Sequence, residues 1–155
     1  LPNLIFIDSQ QPLSSYELIQ RSKFVMIYNS TIGLEASLLG APVLCAGRAR
    51  FTQLPTVFFP PSQEAFRLQA EQFLNVQGIS VPPEFTRNAR RFLYYQLYFS
   101  SLPFDEFLAE DGIWPGFVRL RSFAPEKLTP AQSPAIRAIL DGLLHGGTFL
   151  LDDDR

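Results

Sequence analysis

Short apolar runs alternate with amphipathic stretches through the first sixty residues. Leu4-Ile5-Phe6-Ile7, Phe24-Val25-Met26-Ile27-Tyr28 and Val43-Leu44-Cys45-Ala46 are continuous apolar runs, and Val57-Phe58-Phe59 is a fourth, shorter one closed by Pro60-Pro61. Runs of this length without polar alternation predict strands buried on both faces. Between them lie helical stretches. Ser14-Ser15 offers an N-cap for a helix reaching about Ser22, after the turn chemistry of residues 8–12. Asn29-Ser30-Thr31 punctuates before a helix over residues 32–39, stopped by Gly40 with Pro42 following. Strand and helix in alternation predict an α/β fold, a Rossmann-like parallel sheet with helices on both faces.

The pattern changes after residue 60. Helices are predicted over residues 62–77 and 84–101, separated by Pro82-Pro83. The second carries Phe85, Phe92, Tyr94, Tyr95, Tyr98 and Phe99, a ring density that suits core or interdomain contact more than ligand stacking. Residues 117–121 read as a short half-exposed strand, and Ser133-Pro134 as cap and first residue of a last helix ending at Gly146-Gly147. The expected organisation is one domain over 1–155, with an α/β core over 1–60, a mainly helical extension over 61–145 and an acidic tail over 150–155. The chain opens on Leu1 and enters a strand-like run within three residues, so it reads as excised from a longer two-domain protein.

Composition narrows the classes. With 155 residues, 46% apolar and 18% charged, the chain suits one globular domain rather than a disordered segment. A net charge of −2 leaves no electrostatic footprint for nucleic acid, and no stretch has the length of a membrane span. Eleven of the 13 basic residues are Arg, which suits bidentate recognition of phosphate or carboxylate and equally fits a compositional bias of the genome. The single Cys45 allows no intrachain disulfide and reads as a buried thiol. The cytoplasm is the expected compartment, with a peripheral place at the inner face of the membrane if the protein serves an assembly there.

The chemistry concentrates in residues 28–51, YNSTIGLEASLLGAPVLCAGRARF. A helix that starts at the carboxyl end of a parallel strand aims its free N–H groups and positive dipole end into the crevice above the sheet. Ser30 and Thr31 add hydroxyls there and Gly33 permits close backbone approach, which together suit a phosphate or diphosphate. Glu35, four residues after Thr31, shares its helix face and stands where a ribose would offer two hydroxyls. The same spacing is also an ordinary helix-start device needing no ligand. Arg48 and Arg50, after the third run, are either cations for a departing diphosphate or solvated arginines. Thr52 and Gln53 are weaker candidates of the same loop. Arg90-Arg91 and the Arg119/Arg121 pair read as solvent-facing or acceptor-side, Trp114-Pro115-Gly116 as a hydrophobic anchor or a sugar-stacking turn, and His145 as a helix-end residue rather than a base.

Ser30-Thr31-Ile32-Gly33-Leu34-Glu35-Ala36 followed by Leu39-Gly40-Ala41-Pro42-Val43 resembles the donor-site signature of GT-B glycosyltransferases that build capsule and surface polysaccharides. The wider group includes the capsule-export Kdo transferases and, more distantly, the UDP-N-acetylglucosamine 2-epimerases. The epimerase pattern is a Ser-Gly-Gly turn, then Glu-Glu-Ala, then Leu-Gly-Lys-Pro-Val. The resemblance covers about residues 2–60 and implies a C-terminal, donor-binding half of a GT-B enzyme. It implies that Glu35 contacts the ribose, that Ser30 and Thr31 fall on the turn that holds the donor phosphates, that the donor is a UDP- or CMP-linked sugar, and that an N-terminal domain supplies the glycan acceptor and the base. The nucleotide sugar would be substrate rather than cofactor, and metal independence is expected because the Asp-x-Asp motif of the other transferase architecture is missing from this region. The departures are Thr31 and Ile32 for two glycines and Ala41 for Lys. They disfavour epimerase chemistry. A non-catalytic GT-B-like module for protein contact in a polysaccharide-assembly complex and an epimerase-like enzyme are the alternatives.

Overall fold

The computed structural model describes residues 2–8, 10–113 and 116–151. Its chain divides into two compact units, Leu1–Phe92 and Leu93–Arg155.

The first unit is built on parallel pairing. Helix α1 (Ser15–Arg21) leads into strand β1 (Val25–Ile27), helix α2 (Ile32–Leu38) and strand β2 (Val43–Cys45). β1 and β2 pair in parallel with Val25 opposite Val43 and Ile27 opposite Cys45. The other edge of β2 bonds to Phe58: the Cys45 amide donates to its carbonyl and its amide donates to Val43. The expected fourth run is therefore a single bridge rather than a strand. β2 is buried at all three positions, as a strand bonded on both edges requires. Helix α2 packs on both strands, so β1–α2–β2 is a strand–crossover–strand unit, and the fold is mixed α/β.

The first predicted strand does not form. Leu4, Ile5 and Phe6 are 70%, 86% and 82% exposed, and no ladder includes them. Apolar character expresses a demand for burial. A strand also needs a neighbour to bond with, and among the described residues the parallel sheet contains β1, β2 and the Phe58 bridge alone.

Ile19, Ile27, Leu34, Ala36, Val43, Cys45, Phe51, Val57 and Ala89 form the core of this unit. Helix α3 (Gln63–Asn75) starts on Ser62, whose hydroxyl accepts from the Ala65 amide. It is held to the sheet by edge-to-face contacts of Phe73 with Phe24 and Phe58 at 5.3 and 5.0 Å. Helix α4 (Pro83–Tyr98) crosses the division between the units. Within the first unit its Thr86 hydroxyl donates to the Ser37 carbonyl, and Ser37 in turn donates to the carbonyl of the buried Thr56. Thr56 donates to Phe51. Every hydroxyl of this buried chain is satisfied, which fixes α2, the 51–56 loop and α4 together.

The second unit holds strands β3 (Leu108–Glu110) and β4 (Val118–Leu120), an antiparallel pair, and helix α5 (Pro134–His145). Its buried centre is Phe107, with Phe104 and Phe123 at 4.5 and 4.9 Å. The mainly helical extension expected after residue 60 thus contains a β-hairpin as well. Ser133 caps α5 by accepting from Ile136, and Gly146 ends it in the left-handed conformation, as expected. Tyr94, Tyr95, Tyr98 and Phe99 are 44–57% exposed. No helix among the described residues is long and apolar enough to cross a membrane.

Candidate functional site

Two features stand at the carboxyl ends of the parallel segments, where open α/β sheets place their ligands. The first is the start of α2. Ser30 and Thr31 are exposed, and neither hydroxyl has a hydrogen-bond partner among the described residues. The amides of Gly33, Leu34 and Glu35 are already satisfied by the carbonyls of Ser30 and Thr31 at 3.0–3.3 Å. Gly33 is buried and faces the sheet. A Cβ there would stand 2.2 Å from Ile27 Cδ1, so the missing side chain makes room for Ile27. Glu35 is half-buried, and its carboxylate accepts a hydrogen bond from the Tyr16 hydroxyl on α1. That bond, and then the negative charge of Glu35, push the Tyr16 phenol above its ordinary value, so it stays a donor through the neutral range.

The second is an open cleft of about 690 Å³. Its wall is made by the residues directly after the parallel segments: Tyr28 after β1, Ala46 and Arg48 after β2, and Phe59 to Pro61 after the Phe58 bridge. Ser62, Gln63 and Phe66 from the start of α3 complete it. Chain alternation sends Phe58 and Phe59 to opposite sides. Phe58 enters the aromatic cluster with Phe73 and Phe85, and Phe59 faces the cleft, 38% exposed. Tyr28 is seated by Gly47: a Cβ on that glycine would come within 2.9 Å of the Tyr28 ring.

The candidates from the sequence are therefore distributed. Arg48 lines the cleft, exposed and without an ion-pair partner among the described residues. Arg50 is exposed in a short 3₁₀ turn outside the cleft lining, and Thr52 spends its hydroxyl on that turn by bonding Ala49. Gln53 is exposed. Cys45 is fully buried with its thiol directed at the Tyr28 and Gly47 carbonyls, and burial pushes its pKa up, which makes it structural. In the second unit His145 pairs with Asp141 at 3.2 Å at the end of α5. Arg90, Arg91, Arg119 and Arg121 are exposed. Trp114, Pro115 and the Asp152–Asp154 tail lie outside the described residues.

Sequence reasoning did not single out Tyr16 as the partner of Glu35, nor Tyr28, Phe59 and Phe66 as a wall. The signal was present for the wall: a strand-like run, Pro60-Pro61, then the cap Ser62 repeats the strand–turn–helix order of the Ser30-Thr31 turn.

Among the described residues, no group of three or more His, Cys, Asp or Glu could hold a metal ion. Nothing matches the chain among family models, curated proteins or solved structures.

Proposed function

We propose that this chain is the nucleotide-sugar donor-binding domain of a glycosyltransferase acting in capsule or surface polysaccharide biosynthesis, with a Rossmann-like GT-B half as its fold. The observation that carries the reading is the open cleft at the carboxyl ends of the parallel segments, with Arg48 on its wall. The donor-like signature from Ser30 to Val43 falls on the turn and helix between β1 and β2, where a crevice ligand would meet it. In this reading the diphosphate lies against the Ser30-Thr31 turn and Arg48, and the ribose reaches Glu35. The bond from the anomeric carbon of the sugar to the phosphate oxygen breaks with its electrons on the phosphate, where Arg48 offsets the developing charge. An acceptor hydroxyl, held by a partner domain that takes its proton, forms the new bond. Closure of the two domains would exclude water.

The interaction-module reading draws support from one contact: Glu35 is already engaged by Tyr16. An epimerase-like reaction is favoured less, because neither a histidine nor a carboxylate is among the residues lining the cleft.

A thermal-shift panel of UDP, CMP, GDP and ADP on the protein and on Glu35→Ala and Arg48→Gln tests the proposal. One nucleotide is expected to stabilise the parent and to lose that effect in both variants. No shift with any of the four at millimolar concentration would return the chain to the interaction-module reading.

A further inference from the structure

The cleft is larger and more apolar than phosphate recognition needs. Arg48 is the single cation among its lining residues, against three rings, Tyr28, Phe59 and Phe66, and two prolines. Tyr28, Arg48, Ser62 and Gln63 are the lining residues with polar side chains. A volume of about 690 Å³ lies in the ordinary range for small-molecule sites. A hexopyranose has two flat faces rich in C–H groups and a rim of hydroxyls. Flat rings backed by a few peripheral donors and acceptors complement that shape, and they do not complement a bare phosphate.

The wall is built rather than accidental. Phe59 lines the cleft while Phe58, bridged to β2, packs edge-to-face against Phe73 and Phe85 on the other side of the chain. Tyr28 is 72% exposed, over a glycine that leaves room for its ring. Covering these rings with a ligand face removes apolar surface from water.

We propose that this cleft seats a hexopyranose ring against Tyr28, Phe59 and Phe66, and that Phe59 is the residue that makes a sugar-bearing ligand bind better than its bare nucleotide. The inference rests on the donor reading for one of its two sources of sugar, the residue to be transferred. The terminal sugar of an acceptor glycan has the same ring chemistry. Position favours the transferred sugar. Glu35 is engaged towards α1 and does not line the cleft, whereas Tyr28 stands two residues before Ser30 and Arg48 follows β2. With the ribose at Glu35 and the diphosphate at the turn, the group beyond the diphosphate enters the cleft.

Calorimetric titration decides between the sources. UDP is compared with UDP-glucose and UDP-N-acetylglucosamine, GDP with GDP-mannose, and maltotriose is titrated without nucleotide. Each probe is run on the parent, Phe59→Ala, Phe59→Tyr and Phe66→Leu. The expected result is a gain of roughly tenfold for one sugar nucleotide over its nucleotide, lost in Phe59→Ala and kept in Phe59→Tyr. Bare-nucleotide affinity stays unchanged throughout. Should Phe59→Ala fail to fold, Phe66→Leu takes its place: a weakened gain there supports the cleft, and an undiminished one overturns it. Phe59-dependent binding of maltotriose, with no nucleotide bound, supports the pyranose cleft with an acceptor as its source and removes the donor reading. Nucleotide binding to which the sugar adds nothing overturns the inference and leaves the donor reading standing. Equal weakening of the bare nucleotide in Phe59→Ala places a base in the cleft and also overturns it. Failure of every probe overturns both.

Discussion

Gly33 can be asked directly whether it serves a ligand or the core. Its φ is not positive, so alanine fits the backbone, yet a Cβ would lie 2.2 Å from Ile27 Cδ1 and 3.4 Å from Phe51 Cζ. Carbon atoms rest at about 3.5–4.0 Å, so the Ile27 methyl must move by more than an ångström inside a buried cluster. Overpacking of this kind costs about 1–3 kcal/mol, and the helix propensity of alanine offsets up to about 1 kcal/mol of it. Gly33→Ala should therefore lose roughly 1–2 kcal/mol. Ile27→Val removes the obstructing methyl and alone should cost about 0.5–1.5 kcal/mol. In the double variant the new Cβ occupies the space of the lost methyl, so the two costs should fall short of additive by about 1–2 kcal/mol. Urea denaturation of the four proteins, with m unchanged, measures this coupling. Additivity within about 0.5 kcal/mol would refute the packing account. Nucleotide binding by the stable double variant gives the second readout: it persists if the glycine serves Ile27 and disappears if a ligand needs its bare backbone.

Three further expectations follow from the geometry. Ser37→Ala should destabilise by about 1–3 kcal/mol in denaturant titrations, because it leaves the buried Thr56 carbonyl without its donor; a loss below about 0.5 kcal/mol would contradict that role. Tyr16 should titrate above its ordinary value of about 10, read as the ultraviolet absorbance difference between the parent and Tyr16→Phe, and Glu35→Gln should lower it. The sign follows from the raised folded value: the hydrogen bond contributes its full stability below the unfolded pKa and is lost as pH rises through the folded one, so a normal Tyr16 titration in the parent would dispose of the contact. Cys45 should resist a thiol reagent at neutral pH in the native protein and react once urea unfolds it; labelling of the folded protein at the rate of a free thiol would show that its burial is wrong.

Helix boundaries were the most legible part of the chain because their signals are local. Ser133 caps α5 as expected and Gly146 closes it in the conformation only glycine adopts cheaply, Ser62 caps a helix whose start alone was expected there, and Ser14, the expected cap of α1, stands at its N-cap without a side-chain cap hydrogen bond. Strands were less legible, since a strand is half defined by its neighbour. The runs at Val43 and Phe24 formed β2 and β1, the run at Val57 formed one bridge, and the run at Leu4 formed nothing. Strand β3 was missed although Asp111-Gly112, a hairpin signal, follows it directly, with Gly112 at φ 75°. A three-residue strand with one small and one acidic member carries too little pattern to stand out.

The site shows the same division between local and convergent information. That the turn after β1 would face a crevice followed from strand–turn–helix order alone, and the order repeats at Phe58 and α3. Which side chains meet across that crevice depends on parity within a two-residue segment. Shift the bridge at Phe58 by one residue and Phe59 would meet Phe73 while Phe58 faced the cleft. Two adjacent phenylalanines are identical to any pattern of apolar positions, so only the hydrogen bonds of Phe58 to Val43 and Cys45 decide which of them lines the cleft and which packs against Phe73 and Phe85. The Tyr16–Glu35 bond is likewise invisible along the chain, because the two residues lie on separate helices that only the fold brings together. Motif spacing therefore marked the edge of the sheet at which the cleft opens, and tertiary register chose the residues that line it.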